Sequence, residues 1–241
     1  MPAFDIELDL TFDSSQDIEY IEIAQLINEN PEEIRWLDDT ERNDMKKDGA
    51  FVFDFDNPDE KLEWHLKGYP SLGQGVYLRY KLDPNSGFNI IYSNEGGTTL
   101  GFNIMAYQDP GFFISGNRLV MTHEEQGALF FTSGHWFSQY FWTEMKDVYD
   151  QKQIVFYNII WDEENPAIYF LERAIIQKND IGSQPELKIT GNENETNGKL
   201  YLDSLQIVSG NSLDFIKEKS NDFSQYSDLI TEFFTSLPLK Q

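Results

Sequence analysis

Carboxylates are the side chains of this sequence best suited to chemistry, and they crowd most closely between Asp54 and Glu60. There Asp54, Asp56 and Asp59 offer the oxygen ligands that a hard cation such as calcium prefers. On the EF-hand spacing counted from Asp54, however, Pro58 takes a ligand position, Asp59 falls where the loop needs glycine, and His65 falls where the bidentate glutamate belongs. The stretch therefore reads first as an acidic strand end and turn, with Asp54, Asp56 and Asp59 kept as the one candidate cation loop. His123-Glu124-Glu125-Gln126-Gly127 begins like a helical zinc-protease motif, but Gly127 replaces the second histidine. His65, His123 and His135 could share a zinc ion only if the fold gathered them. Gly68 stands one residue too early for Ser71 to occupy a nucleophile elbow. Gly96-Gly97-Thr98-Thr99 lacks the lysine and the spacing of a phosphate loop. Cysteine is absent, which excludes a disulfide framework, a thiolate nucleophile and a Cys-ligated metal. From this inventory no cofactor, no structural metal and no catalytic set is expected.

Two further groups bear on function. Glu172 and Asp203 interrupt apolar strands, the kind of position where burial or a charged neighbour perturbs a carboxylate. Edge placement or ion pairing explains them more simply, with Arg173 adjacent to the first and a bulge expected at the second. With 42 Asp and Glu residues, a pair at glycosidase separation could also arise, so a carboxylate-dependent hydrolase stays an alternative. Between Phe130 and Trp142 seven of thirteen residues are aromatic. They read mainly as core, because Phe137, Tyr140, Phe141, Met145 and Val148 repeat at helical spacing. Trp136 is least committed to that stripe and is the expected exposed ring, able to stack on a sugar or base. A carbohydrate-binding β-sandwich is thus a second alternative.

The charge is uneven. Of the formal −24, residues 1–64 carry 20 Asp and Glu against 5 Lys and Arg, and residues 65–241 carry 22 against 13. Such a field repels nucleic acid and anionic membrane and attracts basic proteins. The preferred expectation is therefore a non-enzymatic binder of a basic partner protein, either an immunity protein for a cationic toxin or a phage-type mimic of nucleic acid. Its acidic face would be built from Asp5, Glu7, Asp9, Glu19, Glu22, Glu32, Glu33, Asp38 and Asp39. No basic, apolar leader opens the sequence and no apolar run approaches the roughly 20 residues of a membrane span, so cytoplasmic residence is the expectation.

These residues need elements to position them. Residues 4–12 alternate strictly, with Phe4, Ile6, Leu8, Leu10 and Phe12 inward, which predicts a half-buried strand with an acidic outer face. Helices are predicted at about 16–28 and from Pro31 to near Leu37 on capping and dipole signals. Strands follow near 50–55, 76–82, 88–93 and 98–107, with shorter apolar pieces to 132. The helical spacing predicts a helix at 135–149. Ile154 to Trp161 and Ala167 to Leu171 are β-branched and aromatic, joined by a short polar turn, and predict a central antiparallel hairpin covered on both faces. A strand at 186–190, a bulged strand at 199–208 and two closing helices complete the chain, the last with Tyr226, Leu229, Ile230, Phe233, Phe234 and Leu237 on one stripe. The expected fold is a single α+β domain over 1–241. A largely antiparallel sheet centred on 153–176 would be flanked by N-terminal and C-terminal helices, with an acidic region at 1–64 and a β-rich core at 65–208.

Overall fold

The computed structural model describes residues 4–11, 26–28, 50–54, 63–67, 72–84, 86–93, 99–106, 112–116, 120–126, 134–148, 151–164, 169–176, 186–191, 198–219 and 231. Their fold is mainly β. The strands in chain order are β1 (Phe4–Thr11), β2 (Leu26–Asn28), β3 (Phe51–Asp54), β4 (Glu63–Lys67), β5 (Gln74–Leu82), β6 (Gly87–Ser93) and β7 (Thr99–Ala106). They continue with β8 (Phe112–Gly116), β9 (Val120–Gln126), β10 (Trp136–Val148), β11 (Gln151–Asp162), β12 (Tyr169–Ile176), β13 (Glu186–Gly191) and β14 (Lys199–Gly210), followed by helix α1 (Ser212–Lys219).

Two antiparallel sheets result. The larger has the order β1-β14-β5-β10-β11-β12-β9, with β3 also paired to β14, and the smaller has the order β2-β4-β13-β6-β7-β8. They pack face to face, since the Tyr80 ring of β5 meets the Phe88 ring of β6 edge-on at 5.0 Å. Phe137, Gln139, Phe141, Phe156, Asn158 and Ile160 lie on the same inward face as Tyr80, and all are buried. The polar members of this layer satisfy each other: Tyr80 Oη donates to Gln139 Oε1 at 3.3 Å, and Gln139 Nε2 donates to Asn158 Oδ1 at 3.0 Å.

The opposite face of the larger sheet is also covered at one end. Tyr77, Tyr140, Trp142, Tyr157, Val208 and Phe4 form a buried cluster closed by Phe215 and Ile216 of α1. That helix starts where Asn211 Oδ1 accepts the N–H groups of Leu213 and Asp214, an N-cap, with Asp214 in its first turn and Lys217 and Lys219 in its last.

The central hairpin is observed as β11 paired with β12, with β10 on its other side. The bulge is observed too, as a register shift between Leu202 and Ser204. The α+β expectation is corrected to a mainly β fold, because two antiparallel sheets make up the described chain and its one multi-residue helix is α1. The predicted helix at 135–149 is the strand β10. From Trp136 to Thr143 both faces of β10 are buried, so aromatic residues occupy successive positions and mimic a helical stripe. The predicted first helix is contradicted at its end, where Leu26–Asn28 pair with β4. The predicted helix at 31–37 lies outside the described residues, as does the final helix but for Thr231, which is helical.

Candidate functional site

Beyond the reach of α1, the outer face of the larger sheet changes from aromatic to ionic. Alternation along β5 brings Arg79 to the same face as Tyr77, and Ser138 of β10 stands beside it in register. The end of β11 supplies Glu163, whose backbone N–H donates to the Trp136 carbonyl at 2.9 Å. The bulge in β14 brings in Asp203. Arg79 donates from Nε to Glu163 Oε1 at 3.0 Å and from Nη2 to Glu163 Oε2 at 2.8 Å, a bidentate fork that fits a guanidinium and a carboxylate. Its Nη1 lies 3.4 Å from Asp203 Oδ2. Ser138 Oγ donates to Glu163 Oε1 at 2.6 Å, and Ser204 Oγ donates to Asp203 Oδ2 at 2.6 Å. With its proton so used, Ser138 accepts from the Tyr77 hydroxyl at 2.8 Å.

Burial sets the electrostatics of this group. The Arg79 side chain is 9% exposed, Glu163 19% and Asp203 0%. Burial alone would weaken the Arg79 proton, but hydrogen bonding and charge from Glu163, with Asp203 behind it, raise its pKa further above the ordinary value. The Tyr77 hydroxyl is pushed well up, first by burial and then by the charge of Glu163. The guanidinium also lies over the Trp136 ring, 4.2 Å from its centroid, and Lys81 lies between Trp136 and Tyr201 at 5.5 and 4.2 Å.

Next to this network, His135 Nδ1 is 2.8 Å from Asp162 Oδ2, and Asp162 Oδ1 accepts the Glu164 N–H at 2.9 Å. Asp162 is fully buried, His135 is 30% exposed and Glu164 51%. The two carboxylates around Arg79 are held as counter-ions and the Ser138 hydroxyl is already committed. Glu163 is the carboxylate that this end of the outer face presents, while His135 and Glu164 gather round Asp162, which lies in register with the inward-facing Phe137.

The sequence candidates fare differently. Trp136, expected to be the exposed ring, is only 5% exposed, because Arg79 occupies its face. Asp5, Glu7 and Asp9 are exposed on β1, with Glu7 accepting from Gln74 Nε2 and Asp9 from Gln206 Nε2. Ile6, expected inward, is 41% exposed, and the register of β1 against β14 shifts just after it. Glu19, Glu22, Glu32, Glu33, Asp38, Asp39, Asp56 and Asp59 lie outside the described residues, as does Ser71. Asp54 closes β3, opposite Lys199. His65 sits in β4 of the smaller sheet, His123 in β9 and His135 just before β10, so no three-histidine site forms. Among the described residues no group of three or more His, Cys, Asp or Glu is arranged to hold a metal ion.

Alternation along 76–82 predicts Tyr77, Arg79 and Lys81 on the outward side, and 162–164 belong to the short polar turn of the predicted hairpin. The available signal was Asp203, which interrupts an apolar strand at the expected bulge and for which ion pairing was one explanation.

A face-to-face pair of antiparallel sheets with a polar and aromatic outer face defines the class, a β-sandwich. No family model and no curated protein sequence matches the chain. Among solved structures it is similar to the conserved carbohydrate esterase of Shiga toxin-encoding bacteriophage phi24B, at 12% identity and a TM-score of 0.52, over 86% of this chain and 100% of that one. It is similar to the CBM2 module of the evolved Dit of Lactobacillus casei BL23 phage J-1, at 8% identity and a TM-score of 0.50, over 87% and 97%. Peanut lectin is matched at 7% identity and a TM-score of 0.41, over 83% and 96%. The first two likenesses show the sandwich fold.

Proposed function

We propose that the chain binds carbohydrate at the ionic end of the outer face of its larger sheet. The observation that carries this is the likeness in fold, over nearly the whole of both chains, to a phage carbohydrate esterase. The local chemistry supports it. Sugar sites use a few fixed planar polar groups for hydrogen bonding, and Glu163, His135 and Glu164 supply such groups at this end of the sheet. Binding is favoured over hydrolysis because Glu163 and Asp203 are tied to Arg79 and the Ser138 hydroxyl to Glu163. Affinity electrophoresis through gels containing soluble polysaccharides tests this. Retarded migration in at least one polysaccharide is expected, and unchanged mobility across neutral and charged polymers alike would refute it.

A second proposal rests on β1, where Asp5, Glu7 and Asp9 all stay exposed. It is capture of a basic partner protein by electrostatic steering. Replacing all three by lysine should slow association with such a partner, most at low salt and least near 1 M, where the Debye length falls to about 3 Å. Equal association rates at low salt would leave these residues as solvated charge.

A further inference from the structure

We infer that the free edge of β1 accepts an extended segment of a basic protein as an added strand; this deepens the proposal of basic-partner capture and rests on it. β1 ends the larger sheet, and among the described residues β14 is the one strand paired with it. In an antiparallel pair every second residue turns its N–H and C=O away from the neighbour, so β1 offers a row of backbone donors and acceptors along its free side. Asp5, Ile6, Glu7 and Asp9 are all exposed beside that row. Acidic side chains alone would be solvated charge; the open edge gives them a partner of definite shape.

Charge on an edge strand guards a sheet against growth, and here it guards against copies of the same chain, since a second β1 would set like charges opposite one another. A basic strand meets the opposite condition. The bulge specifies more. Glu7 is the extra residue between Ile6, opposite Val208, and Leu8, opposite Ile207. Before the bulge, Phe4 meets Phe215 and so lies on the α1 side, which puts Asp5 on the other side. After it, Asp9 accepts from the Gln206 amide, and Gln206 is in register with Tyr77, which also meets Phe215. Asp5 and Asp9 therefore lie on opposite faces, although four residues of unbroken strand would have put them on the same one. A strand that answers both carries lysine or arginine on both of its own faces, at positions an odd number of residues apart.

The test uses the full chain and a peptide of valine and lysine with the eight-residue length of β1 and lysines on both faces. A companion peptide carries N-methyl groups on successive central residues, so that neither of its edges can pair while its charge is kept. Cytochrome c, basic and folded, serves as a further probe. At low salt the plain peptide should bind, and the methylated one should bind about tenfold more weakly or worse. Amide hydrogen exchange across Phe4–Thr11 should slow in the complex with the plain peptide, as the free edge gains hydrogen-bond partners. Equal binding of the two peptides, or protection that falls on another strand, overturns strand addition and leaves electrostatic capture standing. Binding of cytochrome c without binding of either peptide does the same. No binding of any probe at low salt defeats both.

Discussion

Arg79 is the residue on which the ionic end of the face depends, because its single charge compensates two carboxylates that burial has removed from water. Removing one partner of a buried ion pair leaves the other uncompensated, a loss of roughly 3–5 kcal/mol, whereas replacing the whole group by packed apolar side chains can be neutral. Arg79→Ala should therefore lower the urea midpoint by an amount in that range. Arg79→Lys should recover only part of it, because an ammonium cannot reproduce the fork to Glu163 or the stacking over Trp136. A midpoint within error of wild type for Arg79→Ala would show that water reaches these carboxylates. At this scale the sequence was legible in part. Asp203 announced itself by breaking an apolar strand at a bulge, but its counter-ion did not, because Arg79 belongs to β5 and alternates with inward residues as any solvent-facing arginine would.

Among the elements, β10 shows why local pattern was insufficient. An alternating sequence made β1 and β5 legible, although in β5 the outward Tyr77 and Arg79 are buried as well. β10 is buried on both faces from Trp136 to Thr143 and its sequence does not alternate, so Phe137, Tyr140 and Phe141 fell by coincidence at helical spacing. The hairpin β11–β12 stayed legible because β-branched residues and a short polar connection identify strands without any period. The packing of β10 against β5 yields a prediction of its own. A Cβ at Gly75 would stand 2.1 Å from the Tyr140 hydroxyl oxygen, and Tyr140 has no room to retreat. Its ring stacks on Trp142 at 5.1 Å, touches Phe215 at 4.8 Å, and its hydroxyl donates to Ser212. Gly75→Ala should cost about 1–3 kcal/mol through overpacking, measured as a shift in thermal or urea midpoint. Phe215→Ala should cost about 3–5 kcal/mol and loosen α1 from the face, since its ring meets Phe4, Tyr77 and Tyr140 together. Full stability in Phe215→Ala would mean that the helix does not anchor the outer face.

For the whole molecule, the charge of −24 and the buried tyrosines set limits at high pH that can be worked out by sign. Tyr77, Tyr80 and Tyr140 all have hydroxyls whose pKa is pushed well above the ordinary value by burial, with Glu163 adding to the effect at Tyr77 and Glu144 at Tyr140. An unfolded phenol ionises near pH 10, so below that pH these side chains are protonated in both states and the fold keeps their full contribution. Above it the unfolded chain loses protons that the folded chain retains, and stability falls with rising pH by up to about 1.4 kcal/mol per pH unit for each such tyrosine. Three of them together approach about 4 kcal/mol per unit, a large share of the stability of any domain. The molecule should therefore unfold cooperatively in alkali. The phenolate absorbance should show a step that coincides with loss of the β-sheet circular dichroism. Tyr77→Phe should flatten the dependence of stability on pH above 10 by about one proton's worth, whatever it does to stability at neutral pH. If that phenolate step appeared while the circular dichroism was still native, the three rings would be reachable by hydroxide in the folded state, and both the aromatic layer beneath α1 and the layer between the sheets would have to be open to solvent.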